Sequence, residues 1–311
     1  MGKSATRDAY GKALAEFGSD ERIVVLDADL SKSTKTAVFK DAYPDRHFNM
    51  GIAEGNMMAV AAGLASTGKT VFASSFAVFA TSRAYEQIRN SICYPNANVK
   101  ICATHSGITV GEDGASHQSI EDISIMRTLP NMTVLCPSDA AETRFCVKTA
   151  LEINGPVYIR LGRISVEDVY DENQKFKAGK GVVAKDYGSD VAIFATGYMV
   201  QQSLKAAEKL LESGIKAKVI DIFSIKPIDR ELIVKTAAKT GFVVTCEEHS
   251  IIGGLGSAVC EVLSEKRPTK VLRIGMEDTF GKSGTPDALL KLFGLDGESI
   301  AEKIQKAMQK S

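Results

Sequence analysis

The sequence predicts an α/β protein with mainly parallel sheets, arranged in two parts. Three observations lead there. Short β-rich runs alternate with helical runs through both halves, and that alternation sets parallel strands side by side with helices on both faces. A charged, weakly apolar passage ending in glycines, VEDVYDENQKFKAGKG (166–181), interrupts the alternation and reads as a boundary. Finally, 311 residues, 44% of them hydrophobic and 24% charged, suffice for about two domains with real cores.

Taken in order, RIVVLDAD (22–29) is a strand candidate ending in acids. EGNMMAVAAGLASTGK (54–69) predicts a helix stopped by Gly68. It is apolar or small nearly all round, which predicts burial on all sides. TVFASSF (70–76) reads as a strand, ATSRAYEQIRNSIC (80–93) as a two-faced helix, and NVKICATHSG (98–107) as a strand feeding a loop. NMTVLCPSD (131–139) predicts a strand and a Ser-Asp helix start, AAETRFCVKTALEI (140–153) the helix, and GPVYIRLGR (155–163) another strand. Beyond the interruption come SDVAIFATG, QQSLKAAEKLLESG, KAKVIDI, DRELIVKTAAKTG, GFVVTCEEH, LGSAVCEVLSE and TKVLRIGM, strand and helix in turn. A polar helix, GESIAEKIQKAMQK, follows. The expected division is a first domain over 1–168, a linker and entry over 169–186, and a second domain over 187–311.

Composition narrows the function. Lys plus Arg equals Asp plus Glu, at 38 each, so there is no basic excess of the kind that grips nucleic acid. Small anions remain open, since they need only one or two placed arginines. The six cysteines lack the spacings of zinc ribbons or redox pairs. Several lie in apolar runs and read as reduced core thiols of a cytoplasmic protein. No signal-peptide pattern and no membrane-length apolar run is evident. MGKSAT matches the loose myristoylation pattern, a short match of the kind that arises by chance.

In open α/β sheets ligands sit beyond the carboxyl ends of strands. Three loops begin at such ends: LDADLSKST, ATHSGITVGEDGASHQ and IRLGR. Glu54 opens its helix either as a first-turn acid favoured by the helix dipole or as a buried carboxyl able to bond a ligand nitrogen. Phe72, Phe76 and Phe79 surround the next strand end, as core or as a stacking platform. His105 and His117 bracket a glycine-rich turn without metal-ligand spacing. Structural histidines remain one reading. Imidazoles and acids that bond the hydroxyls of a polyhydroxylated substrate and relay protons are the other. His249, in CEEHSIIGGLGSA, reads as part of a structural turn; an anion site on the glycines is the alternative.

FNMGIAEGN, SSFAVFATSRAYEQIR, HSGITVGEDGASHQSIED and MEDTFGKSGTP, in this order, resemble the C-terminal half of transketolase over essentially the whole chain. The resemblance implies a thiamine-diphosphate-binding-fold pyrimidine domain followed by a transketolase C-terminal-like domain. It implies transfer of a two-carbon ketol unit from a ketose phosphate to an aldose phosphate, as in the pentose phosphate pathway. Glu54 matches the glutamate that bonds N1' of the cofactor's aminopyrimidine. Phe76 matches the aromatic stacked on that ring, Phe79 a second wall, and Asp29 an acid near the cofactor. His105, Asp113 and His117 match residues that bind the donor sugar's hydroxyls and assist proton transfer. Arg7, Ser33 and Arg163 match a clamp for the acceptor phosphate.

The family holds Mg²⁺ and the diphosphate through a GDG motif on its N-terminal half, which this sequence does not contain. The resemblance therefore implies a partner chain carrying GDG and the metal, with thiamine diphosphate shared between subunits in an α2β2 assembly. No metal ligand is expected in this chain. Glu54 lies in AEG where full-length transketolases usually have REH, which leaves related readings open: a deoxyxylulose-phosphate-synthase-like subunit, a 2-oxoacid dehydrogenase β subunit, or a non-catalytic subunit. His105 favours transketolase over the first, the GEDGxxHQ loop over the second, and the joint presence of Glu54, His105, Asp113, His117 and Arg163 over the third.

Overall fold

A computed structural model describes residues 2–309. It holds a seven-stranded sheet, a five-stranded sheet and a two-stranded ribbon joining Lys3–Ala5 to Ser165–Glu167. The larger sheet runs in the order Ser224–Lys226, Thr133–Leu135, Val157–Arg160, Val99–Thr104, Thr70–Phe76, Ile23–Asp27, His47–Asn49. All neighbours are parallel except the Ser224–Lys226 edge. The smaller sheet runs Lys270–Met276, Phe242–Ser250, Val191–Ala195, Ala217–Asp221, Val182–Asp186, parallel save for the last strand. Each sheet carries apolar clusters on both faces, which explains the near-continuous β-rich runs: a strand covered on both sides has no solvent face to alternate toward.

Four local expectations change. The helix expected over 80–93 is a widened coil: π turns at Phe79–Arg83 and Ile88–Cys93 around a short α turn, Tyr85–Gln87. The buried Thr81 hydroxyl donates to the Ala77 carbonyl at 2.7 Å, and this competition for a ladder acceptor accompanies the widening. The Glu54–Ser66 helix is not buried all round. Met57, Met58 and Ala61 pack inward, while Asn56, Ala59 and Gly63 face out, because nothing else among the described residues covers that side. The first sheet takes its edge strand Ser224–Lys226 from the second half, a crossing that periodicity does not reveal. His249 lies within strand Phe242–Ser250 rather than in a turn after it. The glycines beyond it open helix Leu255–Lys266, where Glu247 accepts the N–H groups of Leu255 and Gly256 at 2.7 and 2.8 Å. The chain's own carboxylate thus fills the anion position at that helix start.

The two halves meet through buried charge. Arg160 donates to Asp122 at 2.7 and 3.1 Å, and to the carbonyls of Ser119 and Glu248 at 3.2 and 3.0 Å. Tyr158 adds a hydroxyl bond to Asp122 at 2.6 Å. Asp139 caps helix Ala140–Glu152 and also accepts the N–H groups of Val169 and Tyr170 at 2.9 and 2.8 Å, tying down the connecting passage. The six cysteines are free, five of them buried. No helix among the described residues is long and apolar enough to cross a membrane.

Candidate active site

The parallel register of the larger sheet brings four strand ends to one edge. They deliver the 27–33 loop, Phe76, His105 and the 161–163 loop. Asp27 organises the first of these. Fully buried, it accepts from the Leu30 N–H at 2.5 Å and from the Thr34 and Thr36 hydroxyls at 2.6 and 3.0 Å. Burial still holds its carboxyl above the usual range. The loop so pinned presents the Ser33 carbonyl, which accepts from Arg7 at 3.2 Å.

Arg7 also donates to His105 Nε2 at 3.1 Å. A guanidinium only donates, so Nε2 accepts and the ring proton sits on Nδ1, 2.9 Å from the Thr104 hydroxyl. Burial, together with the charges of Arg7, Arg163, His117 and Lys35, pushes His105 down to about 3. His105 is therefore a neutral imidazole near pH 7. Once a ligand displaces the Arg7 bond, its Nε2 accepts a proton in a hydrogen bond without carrying charge. His105 takes a left-handed φ of 57°, unusual for a side chain of this size, and so its ring is held over Phe76.

The aromatic arrangement is specific. Phe76 stacks on His105 with centroids 3.8 Å apart and neighbours Phe79 at 5.9 Å. Phe79 meets His117 edge-on at 5.2 Å. Phe72 points into the core, fully buried. Glu54, only 4% exposed, is joined by Arg83 through contacts of 3.3 and 3.4 Å. The Arg83 guanidinium also lies 4.1 Å over the Phe79 ring. Glu54, Arg83, Phe79, Phe76, His117, His105, Arg7 and Ser33 thus form one contiguous cluster. Sequence reasoning missed Arg83 because the π turn displaces it from its expected helical position.

Arg163 donates to the Val110 carbonyl and lies 3.4 Å from Asp113, so the loop after the last strand holds the GEDG turn. Burial lowers Arg7, Asp8 counteracts, and the charge of Arg163 lowers it further. Two cations beside one imidazole favour an anionic ligand. Asp29 stands apart at the rim. Its N–H and carboxylate bond the Asn49 side chain at 3.0 and 2.8 Å, and none of its contacts among the described residues reaches Glu54 or the histidines.

The second half supports the loop from behind. Gly107 has φ +75°, and a Cβ there would stand 2.3 Å from the Glu248 carboxyl carbon. Glu248 accepts the Thr109 N–H at 2.5 Å. Gln118 donates to the Lys282 carbonyl at 2.8 Å, and Gly114 leaves room for Ser283. The segment around Lys282 is thus the scaffold of the GEDG turn.

The transketolase pyrimidine-binding-domain model matches residues 2–168, and the transketolase C-terminal-domain model matches residues 179–300. A protein of Methanocaldococcus jannaschii described as a transketolase C-terminal section is 54% identical over 308 residues, spanning 98% of this chain and 96% of that protein. A 6-deoxy-6-sulfo-D-fructose transketolase subunit of a Clostridium strain is 43% identical, spanning 98% and 94%. Human transketolase is 38% identical over 99% of this chain, which spans only 50% of its length. Among solved structures, a split-gene transketolase, described as an inactive beta4 tetramer, is 58% identical with a TM-score of 0.91, spanning 98% of this chain and 99% of that one.

Proposed function

This chain belongs to the transketolase family, and from that premise we propose that it is the C-terminal subunit of a two-chain, thiamine-diphosphate-dependent transketolase. One observation carries the reading. A buried carboxylate, Glu54, lies beside an aromatic face, Phe79, that a planar cation already covers, within a cluster holding His105, His117, Arg7 and Arg163. A buried acid next to an aromatic wall suits an aminopyrimidine, which needs an acceptor for a ring N–H and a face to stack on. The residues present fit the group.

When bound, thiamine diphosphate would supply an acidic thiazolium carbon able to carry a two-carbon unit. This chain's part is to hold and orient. Glu54 would fix the aminopyrimidine nitrogen; the resemblance gives stacking to Phe76 and the second wall to Phe79, and the Arg83 guanidinium 4.1 Å over Phe79 favours the exchange, with Phe79 as stacking face and Phe76 behind it. His105 and His117 would bond sugar hydroxyls and pass protons, with Asp113 orienting the donor. Arg7 and Arg163, with the Ser33 loop, would clamp a phosphate, as guanidinium forks do. Asp29 would sit at the cofactor rim. The diphosphate and Mg²⁺ fall to a separate N-terminal-half chain carrying GDG, in an α2β2 assembly. The relative described as a transketolase C-terminal section, matched over 96% of its own length, supports this, as does the inactive β-only assembly described for the split-gene relative. The free thiols suit a cytoplasmic enzyme. The proposed division is a first domain to 168, a linker and entry over 169–186, and a second domain from 187; the first family match ends at 168 and the second begins at 179.

The test is reconstitution with the GDG-bearing chain, thiamine diphosphate and Mg²⁺, assayed for ketol transfer from xylulose 5-phosphate to ribose 5-phosphate. Turnover by the mixture and none by either chain alone is expected. Turnover by this chain alone would overturn the two-chain reading. A stable complex that binds cofactor but does not turn over these sugars would redirect the substrate, with sulfosugars the next to try.

A further inference from the structure

The contact between Arg83 and Glu54 occupies the place the proposed function reserves for a ligand. The Glu54 carboxylate has no other hydrogen-bond or ion-pair partner among the described residues. The Arg83 side chain is 52% exposed, and among the described residues its guanidinium otherwise meets the Phe79 ring, 4.1 Å away. It reaches this position from the last residue of the π turn Phe79–Arg83, where an extra backbone residue re-aims the side chain. A guanidinium is planar, cationic, delocalised and rich in N–H donors. Those are the properties of a protonated aminopyrimidine.

We infer that Arg83 is a placeholder: it seats itself between Glu54 and Phe79 in the unloaded subunit and must swing out before a planar nitrogen heterocycle can enter. The inference rests on the reading of Glu54 and Phe79 as the aminopyrimidine seat. Its consequence is opposite to that of an ordinary binding residue. The closed arrangement leaves only a fraction of molecules competent to bind, and apparent affinity falls by that fraction. A long, half-exposed ion pair plus one exposed cation–π contact corresponds to a roughly 3- to 10-fold effect. Until cofactor arrives, the placeholder keeps the buried carboxylate paired and the aromatic face covered.

The test is calorimetric titration of thiamine diphosphate, with Mg²⁺, into the reconstituted apo-assembly. Wild type is compared with Arg83→Ala, Glu54→Gln and the double variant. Arg83→Ala is expected to bind about 3- to 10-fold more tightly than wild type, with a melting midpoint lowered by no more than about 2–4 °C. In the Glu54→Gln background the same change should shift affinity by less than about twofold, because the placeholder has lost its anchor. A purely structural arginine would lower affinity and melting point together. Equal or weaker binding by Arg83→Ala would overturn the inference while leaving the cofactor seat intact. Failure of the wild-type assembly to bind would instead overturn the seat, and the placeholder with it.

Discussion

Replacing Glu54 by Gln separates its chemical role from its structural one. Gln keeps the shape and one acceptor oxygen but not the charge. In folding, the substitution removes a contact of 3.3 and 3.4 Å to a guanidinium that is 52% exposed. Pairs of that kind contribute about 0.2–1 kcal/mol. The stability loss should therefore stay below about 1 kcal/mol, or a fall of at most about 2–4 °C in melting temperature. The catalytic loss should be far larger. An amide does not take up a proton near neutral pH, and removing an acid–base group costs about 10²–10⁴-fold, or about 3–5 kcal/mol of barrier at 1.36 kcal/mol per decade. Two assays on the reconstituted enzyme decide it: steady-state ketol transfer and thermal unfolding of the same preparation. Turnover within a factor of about three of wild type would refute the assignment of Glu54. A fall in both activity and melting temperature beyond that range would show that the carboxylate holds the fold instead.

Other consequences follow from buried groups. Asp122→Ala strands Arg160, which is 4% exposed, and should cost about 3–5 kcal/mol; a urea titration showing under 1 kcal/mol, a threshold set at about the value of a surface pair, would contradict the pairing. Gly107→Ala must accommodate a Cβ against Glu248 at φ +75°. It should destabilise by about 1–3 kcal/mol and lower turnover by displacing His105, whereas wild-type kinetics would show that the turn does not position the imidazole. Asp221 and Glu142 are buried at the junction of the halves, each with one oxygen lacking a partner. Burial raises Asp221 to about 7 and Glu142 well above its usual value. Their contribution is complete below about pH 4, the unfolded value, and is lost as pH rises through the folded values. Asp221→Asn should therefore gain on wild type between about pH 4 and 7, by up to about 1.4 kcal/mol per pH unit, and level off above. His105 and His249, lowered to about 3 and about 4, lose stability as pH falls below about 6.5. The wild-type curve thus sums opposing slopes, and the difference between the two proteins is the quantity to measure; a pH-independent difference would refute the raised Asp221.

The strands Thr70–Phe76 and Val99–Thr104 and the helix Ala140–Glu152 are legible from sequence because their signals are local: β-rich runs between punctuation, and an Asp N-cap before a two-faced helix. The family, and the residue types at Glu54, His105, His117, Arg7 and Arg163, are legible for a related reason. Each lies in a contiguous motif, and the loops that hold them follow strand ends. The sequence by itself thus determined the α/β class and which residues to watch.

Tertiary structure alone decided how those residues act. That burial, with Arg7 bonded to its Nε2, keeps His105 neutral depends on a helix and a loop 98 positions apart, brought together by the register of parallel strands. That Arg83 covers Glu54 depends on a π turn, whose extra residue no 3.6-residue period encodes. That the segment around Lys282 braces the GEDG turn, and that Ser224–Lys226 closes the first sheet, depends on the second half folding back on the first. Periodicity reports which face of an element is apolar. It does not report which distant element covers that face, because burial is shared among chain segments whose meeting is set by packing rather than by local sequence.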